Sequence, residues 1–265
     1  VTGEHDLGNP RGVVLFTSAA HHNVIGGVGQ GEGNVISGND QDGVEILNAS
    51  DNQVAGNFIG TDTNGDEAVP NTLNGINIEG GSRNLVGGAL PFGDNLISGN
   101  GRNGIAISGK TAVGNVVHEN LIGIDAISTK ALPNGRHGIF VDGAVSTRIG
   151  GTQERPLVVS GNKGSGIWIE GASATDNRVT SSYVGLDLGG NRAIPNEGTG
   201  LQGGVVISGR GVHGNVIGGA TADERNVISG NVGDGVVLSQ TDDNKIVGNY
   251  IGTDRFGEHP VGNFG

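Results

Sequence analysis

Three short phrases return in fixed order along this chain, and that recurrence constrains the fold more than any other feature. The first is a glycine followed by alternating aliphatics: GVVL at Gly12, GVEI at Gly43, GINI at Gly75, GIAI at Gly104, GIFV at Gly138, GIWI at Gly166, GVVI at Gly204 and GVVL at Gly235. The second is Asn-x-aliphatic, as in NVIGG at Asn23 and NQVAGN at Asn52. The third is NVISGN at Asn34 and Asn226, NLISGN at Asn95, or the variants FIGTD at Phe58 and YIGTD at Tyr250. The opening glycines stand about 28 to 38 residues apart, the period of a solenoid turn. Each aliphatic segment is too short for a helix and alternates with period two, so each reads as a strand. Three strands per turn, in the same order every turn, stack each strand on its own copy one turn later. The expected fold is all-β: a three-faced parallel β-solenoid of about eight turns, on the order of 38 Å long.

Odd and even turns differ, which makes the larger unit two turns, or roughly 63 residues. One turn type carries NVIGG and then NVISGN. The other carries NxVxGN, then IGTD and a long loop that ends in Pro-Asn at Pro70-Asn71, Pro133-Asn134 and Pro195-Asn196. GEHDLGNPRG at Gly3 resembles GEHPVGNFG at Gly257, and Gly265 stands where another turn would start. Residues 1–265 therefore read as a single β-helix domain, a segment of a longer array with flanking repeats or domains on the same polypeptide. The absence of Met fits a segment. End-to-end self-association through open ends is the second reading.

Alternation sorts the side chains. Pairs such as Val44 and Ile46, Ile76 and Ile78, and Ile139 and Val141 face inward on the first face. On the other two faces the second residue of each pair faces inward: Ile25, Ile36, Val54, Ile59, Val86, Ile97, Val117 and Ile122. Glycine and proline, 54 and 7 of 265 residues, together make about 23%, just under the level at which an aperiodic chain is low-complexity. Here glycine marks turns, as do Asn39, Asn100, Asn162 and Asn231 in the SGN phrases and Asn57, Asn120 and Asn249 in the GN phrases, where Ser182 substitutes once.

Composition narrows function. With no Cys, disulfides, thiolate metal sites and thiol catalysis are excluded. A net charge of −12 with no basic block makes nucleic acid and anionic membrane surfaces poor partners. No apolar run approaches the roughly 20 residues of a membrane span.

The motifs NVISGN, GVxI, IGTD and PN-x-x-NGI cover nearly the whole chain. They resemble the right-handed parallel β-helix repeat of long secreted or surface proteins of bacteria. That resemblance implies a right-handed coil, an extracellular or cell-surface setting, and a structural or adhesive role with no specific active site. The turn after Ile149 departs from the pattern: Thr147 replaces an expected Asn, and Leu157 stands where Asn usually sits.

Residues the fold does not require are the candidates for chemistry. On the first face the outward positions of neighbouring turns bring Phe140 beside Trp168, flat rings suited to a sugar face. Two residues on, Asp142 and Glu170 form an adjacent carboxylate pair about 5 Å apart, the separation used by retaining glycosidases. Arg136 and His137 enter the same turn and could bind an anionic sugar. The leading reading is a non-enzymatic spacer or adhesive stalk with a face that contacts polysaccharide or a surface protein. The alternative is a polysaccharide-active enzyme using Asp142 and Glu170. Asp62, Asn64 and Asp66 in TDTNGDE have the alternating oxygen spacing of a calcium loop, so Ca2+ is the one cofactor considered, although the other copies of the loop do not keep the spacing. His118, beside Glu119, reads as solvated. Phe58, Leu121, Tyr183 and Tyr250 form an outward apolar stripe on the third face, which the long loops are expected to fold back and cover.

Overall fold

A computed structural model describes residues 9–88, 92–198 and 200–264; the N-terminal copy of the GEH loop (residues 3–8), His5 and Gly265 lie outside the described residues. The chain is a three-faced parallel β-helix. The first turn lays down strands Val13–Phe16, Val24–Gly26 and Val35–Ile36, and seven further turns repeat the order. Three parallel sheets of eight strands result, each strand bonded to its copy one turn before and one turn after. Register follows the repeat: Val44 lies against Val13 and Ile76 on the first face, Val54 against Ile25 and Val86 on the second, and Ile59 against Ile36 and Ile97 on the third. The only helical piece among the described residues is a 3-10 turn at Ala222–Glu224, and no helix there is long and apolar enough to cross a membrane.

The interior is a column of Ile and Val from all three faces, nearly all fully buried from Val44 to Ile228. Burying each such side chain contributes roughly 1.5–3 kcal/mol. Leu238, Ile246 and Ile251, in the last of the described turns, are 42–46% exposed.

Three files of asparagine run along the rod at the corners. In the longest, each side-chain Nδ2 donates to the next Oδ1 from Asn39 through Asn71, Asn100, Asn134, Asn162, Asn196 and Asn231 to Asn263, at 2.6–2.9 Å. The Asn of each Pro-Asn loop end thus fills the same slot as the Asn of each SGN turn, which explains why two unlike turns stack without a gap. A second file passes from Asn23 to Asn115, breaks at Thr147, and resumes from Asn177 to Asn244. Thr147 Oγ1 is buried without a partner among the described residues. The third runs from Asn34 to Asn120, is interrupted by Leu157 and Ser182, and resumes at Asn226. Buried amides must be bonded or they cost about 1–3 kcal/mol each, so these files are a condition of the fold.

The long even-turn loops stack on one another two turns apart. Ala126 N–H donates to Gly65 O at 2.9 Å, and Arg255 N–H to Gly190 O at 2.8 Å. They fold back over the third-face stripe, where Leu121 and Tyr183 pack on buried Ile124, Val158 and Ile194. The stripe is half-buried, with cavities left between the loops.

Candidate functional site

The parallel register sets the first-face cluster. Strand Ile139–Asp142 pairs with Ile167–Glu170, placing Phe140 against Trp168 and Asp142 against Glu170. The turn entering the first of these strands carries Arg136 and His137. Arg136, His137, Phe140, Trp168 and Glu170 line a shallow cavity of about 140 Å3 together with Asn103. Asp142 points elsewhere: it is exposed, and its carboxylate lies over the backbone of Gly171, where an added Cβ would stand 2.3 Å from Oδ1.

Contacts inside the cavity define what it can do. The His137 ring stacks on Phe140 with centroids 5.8 Å apart and 20° between planes, and tilts against Trp168 at 5.0 Å. Its Nδ1 accepts the Ser165 backbone N–H at 3.1 Å, which puts the ring proton on Nε2. The His137 backbone N–H donates to Asn103 Oδ1 at 3.1 Å. Burial, reinforced by the charge of Arg136, lowers the His137 pKa to about 4. The imidazole is therefore neutral near pH 7 and offers one N–H donor, so positive charge in this cavity comes from Arg136 alone. Trp168 Nε1 donates to Glu170 Oε2 at 2.9 Å, which fixes the indole plane and occupies one carboxylate oxygen.

Alternation along the strands was enough to find Phe140, Trp168 and Glu170. Asn103 and Ser165, which set the position of His137, carry no signal beyond being turn residues before a Gly-aliphatic phrase.

A titration checks this geometry. Trp168 is the chain's one tryptophan, and a protonated imidazole 5.0 Å away quenches its fluorescence. The quenching transition is expected with a midpoint near pH 4. A midpoint near 6.5, the ordinary value, would mean an imidazole open to water. Because the unfolded chain takes up the proton first, His137 also lowers stability as pH falls from about 6.5 towards 4.

The calcium-like loop is built for another purpose. Asp62 is buried, and its Oδ1 accepts the backbone N–H groups of Asp66 at 3.1 Å and Glu67 at 3.2 Å. Burial works to raise its pKa, but these bonds outweigh it and leave the carboxyl below its usual range. Asp125, Asp187 and Asp254 close the equivalent loops in the same way. Asn64 and Asp66 are exposed, and among the described residues no three His, Asp or Glu side chains converge as a metal-ligand set. Asp62 Oδ1 is thus engaged in closing its own loop, while Asn64 and Asp66 face solvent.

No family model matches the chain, and neither the curated proteins nor the solved structures compared with it include a match.

Proposed function

We propose that this chain is a non-enzymatic β-solenoid module, a stiff extracellular spacer or stalk whose first-face cavity makes a weak contact with a glycan or a surface protein. The observation that carries the reading is the continuity of the three eight-strand sheets, reinforced by files of bonded amides. Most of the asparagines buried in the rod are engaged in holding one winding to the next. Stiffness follows, because bending the rod would open bonds on one whole face. The extracellular setting rests on the repeat resemblance.

The cavity itself supports contact better than cleavage. Hydrolysis with retention needs two carboxyls facing one glycosidic bond about 5–5.5 Å apart. Here Glu170 is bonded to Trp168 and Asp142 lies outside the cavity. A ring edge, a neutral imidazole N–H, an amide and a guanidinium suit recognition of a hydroxylated ring.

A glycan array probed with the intact chain and with Trp168→Ala, alongside a reducing-end assay on the same glycans, tests the reading. No release of reducing ends is expected, and any array signal should fall by about tenfold in the variant, the worth of one aromatic contact. Release of reducing ends by the wild type that disappears in Glu170→Gln would replace the spacer with an enzyme.

A further inference from the structure

Several departures from the repeat lie close together on the third face. The residue before the third-file asparagine is Gly56, Glu119, Ser181 and Gly248 in successive even turns, each with positive φ (72°, 52°, 46° and 69°). Glycine suits that conformation, so Glu119 and Ser181 are retained there at a cost of about 1–2 kcal/mol. Leu157 and Ser182 break the asparagine file beside them. Residues that weaken a repeat locally without improving its packing call for another reason.

These positions border a cavity. About 250 Å3 is enclosed by Gln153, Pro156, Tyr183, Arg225, Tyr250 and Arg255, among others. Its walls are loops tied across the turns, where Gln153 Nε2 donates to Ala222 O two turns on and Ser181 Oγ to Asp223 O one turn on. Its floor is the outward ladder Tyr183–Val227–Tyr250. The Arg225 guanidinium lies 4.2 Å over the Tyr250 ring and donates to the Tyr250 hydroxyl at 3.0 Å; Arg255 lies 4.6 Å over Phe256. Among the described residues, no acidic side chain lines this space. Arg11, Arg83, Arg155, Arg178 and Arg192 each sit within 4 Å of a carboxylate. Arg225 and Arg255, like Arg102, Arg136, Arg148 and Arg210, have no such partner among the described residues; Arg225 Nε donates to Gly248 O at 3.0 Å, and what sets these two apart is that they share one cavity.

A neighbouring cavity of about 160 Å3 shares Gln153, Pro156, Tyr183 and Arg255 and reaches Glu119. Glu119 is 3% exposed, and its Oε2 has no hydrogen-bond partner among the described residues; Arg155 Nε stands 3.4 Å away. His118, expected to be solvated, is half-buried, with Nδ1 3.8 Å from Glu119 and likewise unbonded.

We propose that this third-face cavity binds a small ring-shaped carboxylic acid, with its carboxylate on Arg225 and Arg255, its ring against Tyr183 and Tyr250, and a hydroxyl or amine directed to Glu119. Planar guanidinium groups pair with carboxylate through two parallel hydrogen bonds. Aromatic side chains bury the flat body of such a ligand, and Glu119 Oε2, paired with Arg155 only at 3.4 Å, keeps the capacity to accept a hydrogen bond. Two sources share this chemistry, a sugar acid and an aromatic acid. The site is independent of the first-face cavity and of the spacer reading.

The chain's two tyrosines both line the cavity, so tyrosine ring-labelled protein reports on it by NMR while Trp168 reports on the first face. Titration with D-glucuronate and with 4-hydroxybenzoate is expected to shift both tyrosine signals saturably, with a Kd on the order of 1 mM for the preferred acid. D-glucose, which lacks the charge, should leave them in place. Whichever acid binds more tightly identifies the source. Arg255→Gln changes an exposed side chain and leaves the core alone; it and Arg225→Lys should each weaken binding by about tenfold. Equal binding of glucose, unchanged affinity in Arg255→Gln, or no saturable shift with either acid would overturn the proposal.

Discussion

Asn100→Asp is expected to destabilise the rod by about 3–5 kcal/mol, read as a lowered midpoint in urea denaturation. Asn100 is 1% exposed, and its Nδ2 donates to Asn134 Oδ1 at 2.9 Å and to Ile59 O at 3.1 Å, while its Oδ1 accepts from Asn71. Aspartate replaces the donor with a second acceptor facing oxygens on three sides, and an ionised carboxylate there has no counter-charge. The converse change supports the same account. Thr147→Asn, nearly equal in volume, restores the missing rung between Asn115 and Asn177 and removes an unbonded hydroxyl, so it should stabilise by about 1 kcal/mol. A neutral Asn100→Asp would mean that the files are decoration on a rod held by its aliphatic core alone.

Gly123→Ala should be at least as damaging, with a loss of about 4 kcal/mol or more and insoluble expression as the practical symptom. Gly123 has φ of +84°, and a Cβ there would stand 2.3 Å from Ser160 O and 2.4 Å from Asn162 Oδ1. The next winding leaves no room. Gly114 separates sterics from backbone preference. Its φ is +68°, yet an added Cβ meets only Arg83 Cγ at 3.8 Å. Gly114→Ala should therefore cost only the left-handed strain, about 1–2 kcal/mol. Similar losses at both positions, measured by denaturant midpoint, would show that conformational strain dominates and close stacking matters little.

Most of the architecture was legible because each physical cause repeats eight times along the chain. Period-two alternation identified the inward Ile and Val columns, and the register followed once strands were stacked on their copies. Asn71 shows what the pattern alone misses. It reads as the end of a long loop, yet it sits in the same file as Asn39 and Asn100, because the loop leaves and rejoins the winding at one corner. The first-face cluster was half legible. Adjacency of Phe140 and Trp168 is a consequence of register, whereas the Trp168–Glu170 bond and the outward turn of Asp142 depend on rotamers. The third-face cavity was invisible for a different reason. Its walls include loops 69 residues apart that meet only after two windings, and Glu119 occupies a glycine slot that alternation classes as an exposed turn.

The amide files have a direction. From Asn23, Asn34 and Asn39 onward every rung passes its hydrogens towards the same end, so the side-chain dipoles align head to tail and strengthen one another. Where all three files are intact, as from Asn52, Asn57 and Asn71 to Asn84, Asn95 and Asn100, a cross-section therefore presents a triangle of bare oxygens on one surface and a matching triangle of N–H groups on the other. Two such surfaces are complementary in one orientation and repel when inverted, which gives the rod a built-in sense of up and down.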